Sequence, residues 1–447
     1  MLRNSAGNLA RNLAAASALV AAAALADPAS ARGLIRDAEI ERTLGEMSAP
    51  IFQAAGYGAD GIDIYILNDR SLNAFVANGS NMFLHTGLIQ ILETPEELIA
   101  VIAHETGHIA GGHQSRRQIT VRGAKGPALV ALLAGIAAGA VGGPELGSAI
   151  IAGGQGATLR GLLRYNRGEE AAADQAALNY LSRAEVDPRG LYDVFSRFRD
   201  QEVLISGNRD PFLQTHPLST ERLQLIERRL NESAGRTYPE RADRDYWHAR
   251  MRAKLIGFLD RPERVLDRLD GKPETEISLY KKAVALYRLP DLKQAIAAID
   301  RLIEMRPNDP FYIELKGQIL FESGNAEAAV PLYRQAAQLA PGEPLLEAGL
   351  GRALLALDRP GADAEALKVL KAARSRDLAD SFGLRALATA YARAGDQGMA
   401  SLATAERFAI AGRMEDAQLH ARRASDALPN GSPGWLRAQD ILSMKIN

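Results

Sequence analysis

The sequence predicts an α+β domain, mostly helical with a small sheet, followed by an all-α solenoid of paired helices. Three observations carry that prediction. Short runs alternating apolar and polar residues lie between residues 61 and 85. An apolar helical stretch from Leu98 to Ala103 runs directly into His104-Glu105-Thr106-Gly107-His108. Further on, Arg306-Pro307-Asn308-Asp309-Pro310 and Ala340-Pro341-Gly342-Glu343-Pro344 repeat one pattern of punctuation at a spacing of 34, the period of a helix–turn–helix repeat.

A chain of 447 residues with 47% apolar content has room for two or three domains and a sizeable core. The formal charge of -1, with scattered basic residues and no aromatic platform, excludes a nucleic-acid footprint. No cysteine is present, so disulfides and a lipid-bearing N-terminal cysteine are both excluded, and the fold must rest on its core and on any metal it binds.

Residues 1–31 read as a signal peptide. Arg3 and Arg11 give a basic start, Leu13 to Leu25 is an apolar run too short to span a bilayer, and Ala29-Ser30-Ala31 offers a cleavage site, with Ala26 as an alternative. The first folded domain is expected over 32–255. Gly61 to Leu67 alternates like a strand, and residues 73–77 and 81–85 read as two more, around a turn at Asn78-Gly79-Ser80. A helix then starts at Thr94-Pro95-Glu96-Glu97, with a capping residue, a proline at the first helical position and a glutamate three residues after the cap. Gly111-Gly112 stops it. Within it, His104 and His108 share a face and can meet one metal ion. Zinc brings the pKa of water down to about 7, and Glu105 is placed to take the proton as that water attacks a carbonyl. Gly107 costs helix propensity, which points to close approach by another element. His113 lies past the glycines and off the ligand face, at the surface or behind the metal site.

A catalytic zinc takes three protein ligands, and without cysteine the third must be His, Glu or Asp. The alanine-rich helix Glu169-Glu170-Ala171-Ala172-Ala173-Asp174 supplies the candidates. Glu170 and Asp174 share a face, so one carboxylate can bind metal while the other holds a metal histidine from behind. Glu169 competes with Glu170. His216, just before a helix capped by Ser219 or Thr220, can approach the metal or donate to a developing oxyanion. Arg222, one turn in, can hold a carboxylate or a substrate terminus. Between these blocks, Pro127–Val141 and Gly147–Gly153 form apolar small-residue runs, neither long enough to cross a membrane. They read as a helical hairpin that either caps the core or touches a membrane surface or a client. After a linker at 256–273, residues 274–447 are expected to form the tetratricopeptide-type repeats, a stack that presents a concave surface to peptides or partner proteins.

Four blocks in order, Asn73-Ala74-Phe75 with Thr86-Gly87-Leu88, His104 to His108, Glu170 to Asp174, and His216-Pro217 with Arg222, resemble the gluzincin peptidases of the CAAX prenyl protease and HtpX group. With the repeats, the chain is similar to the periplasmic, BepA-like branch, proteases and chaperones of outer-membrane protein assembly. The resemblance implies one Zn2+ per chain held by His104, His108 and Glu170, with Glu105 as general base. Asp174 would match the family's helix aspartate, often assigned as a proton donor, although a role holding a zinc histidine suits it better physically. His216 would take the fourth zinc position and hold the enzyme in check. The implied setting is the periplasm, with unfolded or misassembled protein clients and outer-membrane assembly machinery as partners. A chaperone or assembly adaptor with a largely closed zinc site is the alternative. A membrane-embedded prenyl-protein protease is disfavoured by the lack of spanning helices. The chain departs from BepA in lacking its cysteine pair, so disulfide control is not expected.

Overall fold

The structure, a computed structural model, describes residues 33–58, 61–77, 79–113, 156–204, 216–217, 219–232, 235–239 and 241–444, with the backbone alone for 156–166 and 200–204. The expected signal peptide and the apolar runs between 127 and 153 lie outside the described residues. Among the described residues, no helix is long and apolar enough to cross a membrane.

Two compact units are present, Leu34–Ala386 and the segment from Leu387 onward. The first opens with β1 (Leu34–Ile35) and α1 (Ala38–Ala54), followed by β2 (Asp63–Leu67), β3 (Ala74–Ala77) and β4 (Asn81–His85). The sheet order is β1-β2-β4-β3, with β2 and β4 parallel and both outer pairs antiparallel. The alternation read in the sequence works as expected. Ile66, Ala74, Met82 and Leu84 are buried on one face, while Tyr65, Phe83 and Phe75 stack across the other. β1 was not anticipated, because two residues carry no periodicity.

After β4 come α2 (Thr86–Ile91), α3 (Pro95–Ala110), α4 (Gly156–Arg183), α5 (Arg189–Leu204), α6 (Thr220–Glu232) and α7 (Ala242–Leu259). α3 is the central element, its side chains buried from Glu97 to His108. Its first turn is built as the sequence implies. Thr94 Oγ1 accepts from the Glu97 amide at 3.3 Å, and Glu97 accepts in return from the Thr94 amide at 3.2 Å. Arg197 of α5 neutralises the buried Glu97 at 2.8 Å. One continuous core joins α1, the inner sheet face, α3, α4 and α5, including Leu44, Ile51, Met82, Ile99, Ile102, Leu181 and Phe195.

Residues 256–273, read as a linker, carry the last turn of α7, the whole of α8 (Pro262–Leu269) and a short turn. The reason is apolar: Val265 of α8 is buried, and Phe258 and Leu266 pack into the core of the first repeat helices. Helix pairs follow as α9 (Glu276–Arg288) with α10 (Leu292–Met305), α11 (Pro310–Glu322) with α12 (Ala326–Leu339), and α13 (Pro344–Ala356) with α14 (Pro360–Arg376). The punctuation that revealed the period has a structural meaning here. Asp309 and Glu343 are N-caps, and Pro310 and Pro344 open their helices. α15 (Ser381–Arg393) comes next in the chain; in the second unit α16 (Gln397–Ile410), α17 (Met414–Ala427) and α18 (Pro433–Ser443) close around Leu402, Ala417, Ala421 and Ile441.

Candidate metal centre

α3 and α4 cross at their smallest residues. A Cβ on Gly107 would lie 2.9 Å from the carbonyl oxygen of Ala173 and 3.0 Å from its Cα. The glycine in the motif and the alanine run in α4 thus let two backbones touch, which brings His104 and His108 opposite Glu170 and Asp174.

His104, His108, Glu170 and His216 each turn one ligand atom into a common space, all four atoms within 4.8 Å of one another and all four residues buried. His108 Nε2 lies 3.2 Å from His104 Nε2. Glu170 Oε2 lies 3.3 Å from His104 Nε2, and Oε1 lies 3.3 Å from His108 Nε2. His216 approaches with Nδ1, at 3.2 Å from His104 Nε2 and 3.0 Å from Glu170 Oε2. Ligand atoms at about 2.0–2.1 Å from a tetrahedral zinc stand about 3.3–3.4 Å apart. Converging nitrogens and a carboxylate at that mutual spacing, out of contact with water, fit one divalent metal ion. Glu169 is buried too but stands outside the group.

The residues behind the ligands are equally ordered. Asp174 Oδ1 sits 2.9 Å from His104 Nδ1. Arg222, buried on α6, grips the same carboxylate through Nε at 2.6 Å and Nη2 at 2.8 Å. Its Nη1 donates to the Pro217 carbonyl at 2.9 Å, and its guanidinium lies 4.7 Å from the Phe195 ring centre. Of the two roles open to Arg222, the guanidinium is committed to holding a carboxylate, and through Pro217 it ties the His216 segment to α4. Ser219 caps α6 by accepting from the Arg222 amide at 3.3 Å. Glu105 is buried beside the cluster, with Oε1 3.4 Å from His216 Nε2.

The charges are balanced inside this packing. Burial alone would lower the His104 pKa, but Asp174 and Glu170 carry it up to about 9. Burial would raise Glu170, and His216 and His108 instead hold it well below the usual carboxylate range. Arg222 and His104 lower the Asp174 pKa against its burial. A metal ion held by the cluster would take the place of the proton on His104 Nε2, opposite Glu170, and would leave the Nδ1 proton with Asp174.

His113, expected at the surface or behind the metal site, lies behind it. It is buried, with Nδ1 2.9 Å from His108 Nδ1, on the side of the ring away from the cluster. The Gly111-Gly112 pair was the available signal, read only as a helix stop.

An HExxH helix crossed by a helix bearing Glu170 defines a gluzincin-type metallopeptidase centre. Residues 35–230 match the family model described as Peptidase family M48, and residues 312–343 match a tetratricopeptide repeat; the paired helices on either side of that segment are arranged in the manner of such repeats. The chain is similar to the Beta-barrel assembly-enhancing protease of Yersinia pestis, 27% identical over 368 residues, 79% of this chain and 72% of that protein. The Escherichia coli K12 protein of the same name is 24% identical over 412 residues, 89% of this chain and 81% of its own length. Metalloprotease LoiP of Escherichia coli K12 is 28% identical over 168 residues, 38% of this chain and 62% of that protein.

Proposed function

We propose that the protein is a zinc-dependent endopeptidase of the periplasm that degrades misfolded or stalled outer-membrane proteins, with the repeats recruiting clients or assembly machinery. The observation that carries the reading is the buried convergence of His104, His108, Glu170 and His216 on one point, in a chain similar to proteases named for β-barrel assembly. His104, His108 and Glu170 would hold the metal. Zinc, when bound, supplies a Lewis acid that polarises the scissile carbonyl and acidifies water. Glu105 takes the proton from the attacking water and delivers it to the leaving amine. Asp174 fixes the His104 ring and its tautomer, and Arg222 fixes Asp174.

A second reading, a chaperone or adaptor with a mostly closed site, is favoured by one observation. His216 Nδ1 stands at ligand spacing from both His104 and Glu170, so a metal with four protein ligands has no open position for water. The two readings combine if His216 is a latch that a client or partner releases.

Casein degradation and zinc content of the purified protein test this. Glu105→Gln should keep about one zinc per chain and lose activity by roughly 100-fold or more. Unchanged turnover there, contaminants excluded, would overturn the mechanism. His216→Ala should cleave faster if His216 is the latch, and slower by about 100- to 1000-fold if it donates to the oxyanion.

A further inference from the structure

We infer that His113 is a positioning residue for the metal centre, fixing the ring and tautomer of His108 by accepting its Nδ1 proton. The inference rests on the reading of His108 as a metal ligand. His108 turns Nε2 toward the cluster, 3.3 Å from Glu170 Oε1. A nitrogen that binds metal must present its lone pair, so the ring's proton must sit on Nδ1. That nitrogen faces His113 Nδ1 at 2.9 Å. Two ring nitrogens this close share one proton, and the metal-facing tautomer of His108 makes His108 the donor. His113 then keeps its own proton on Nε2.

Three local features exist to make that contact. Gly112 adopts φ +62, a left-handed turn that reverses the chain at the end of α3. Gly111 is ordinary helical backbone, with φ -69 and ψ -12, so its conformation does not call for glycine. Space does: a Cβ there would collide with His113 Nε2 and lie 2.8 Å from its Cε1. The His113 ring is buried under the helix end in the place a side chain on Gly111 would occupy.

The two metal histidines on α3 are thus held from behind by different partners. His104 has a carboxylate, Asp174, at 2.9 Å; His108 has a neutral imidazole. Charge explains the asymmetry. With a divalent ion bound, the three buried carboxylates of Glu105, Glu170 and Asp174 would be matched by that ion and by Arg222, which pairs with Glu170 and Asp174. A fourth carboxylate behind His108 would add like-charge repulsion where water cannot screen it, whereas an imidazole acceptor orients the ring at no cost in charge.

Chelator competition tests the inference by zinc affinity, independently of turnover. The variants are His113→Ala, His113→Asn, Gly111→Ala and the control His108→Ala. Asn can place Oδ1 where the His113 Nδ1 lone pair was. His108→Ala should lose zinc; retention would overturn His108 as a ligand, and the inference with it. Given that loss, His113→Ala should bind zinc about 10- to 100-fold more weakly, and His113→Asn should recover most of the deficit. Wild-type affinity in His113→Ala overturns the inference alone, as does an Asn variant no better than Ala. If His113→Ala does not fold, Gly111→Ala decides. Alanine is the better helix residue, yet it should weaken zinc binding by displacing the ring, and unchanged affinity there would overturn the proposal.

Discussion

At the scale of single residues, the site depends on buried charges that are stable only as a set. Arg222 is the counter-ion for Asp174 and lies 3.3 Å from Glu170 as well. Removing one member of a buried pair leaves an uncompensated charge, at a cost of about 3–5 kcal/mol. Arg222→Met should therefore lower the melting temperature by on the order of 10 °C and weaken zinc retention, because Asp174 no longer holds His104 in register. Arg222→Lys keeps the charge but loses the fork, so it should fall between. A drop of under about 2 °C for Arg222→Met, equivalent to under about 1 kcal/mol, would make the pair a bystander. Much of this was legible in the sequence. The i, i+4 spacing brought out His104 with His108 and Glu170 with Asp174, since helix geometry fixes which side chains share a face. For His113 the sequence left two places open, the surface and the back of the metal site, and its pairing with His108 was not legible. It depends on the empty space left by Gly111, and a missing side chain looks in sequence like a helix stop.

At the scale of elements, the distance between α3 and α4 sets the metal site. Gly107 meets the backbone of Ala173, which cannot swing aside as a side-chain tip would. Gly107→Ala should gain about 1 kcal/mol in helix propensity and lose about 1–3 kcal/mol through overpacking. Because His104 and His108 would move away from Glu170 together, zinc affinity should fall about 10-fold or more, the range seen when ligand geometry is disturbed. The measurements are a chelator titration and a thermal melt. A more stable protein with wild-type zinc affinity would show that the crossing does not control the site. Elements with strong local chemistry were readable in advance: the Thr94 to Glu97 start of α3, strands β2 to β4, and the 34-residue spacing of the paired helices; that Asp309-Pro310 and Glu343-Pro344 open helices is what the structure adds. α8 was read as linker because its apolar residues are few, and their packing partners lie in α9, which only tertiary structure reveals.

At the scale of the molecule, α1 ties the peptidase domain to the repeats within the unit Leu34–Ala386 through a buried ion network. Arg250 binds Glu39 at 2.5 Å and Asp309 at 2.8 Å, and Lys254 binds Asp37 at 2.7 Å and Glu39 at 3.3 Å. Tyr280 donates to Glu39 at 2.6 Å, and the Arg250 guanidinium lies 3.8 Å from the Tyr312 ring centre. The N-terminal half of α1 is thereby joined to the repeats, while Ile51 and Phe52 belong to the core that carries α3. Glu314 lines a cavity of about 370 Å³ beside this network. Burial raises its pKa to about 7; Lys254 pulls it down, and Asp37 and Glu39 push it further up. In the unfolded chain a glutamate titrates near 4.5. Between those values the folded protein binds the extra proton, so the contribution to stability is full below about pH 4.5 and is lost as pH rises through about 7. Glu314→Gln resembles the protonated form at every pH. Wild type and variant should therefore melt together near pH 4, and the variant should be the more stable by on the order of 3 kcal/mol near pH 8.5. Titrations at the metal centre are common to both proteins and cancel in the difference. Parallel melting curves across that range would mean that Glu314 ionises freely in the folded protein, and that the network does not confine its charge.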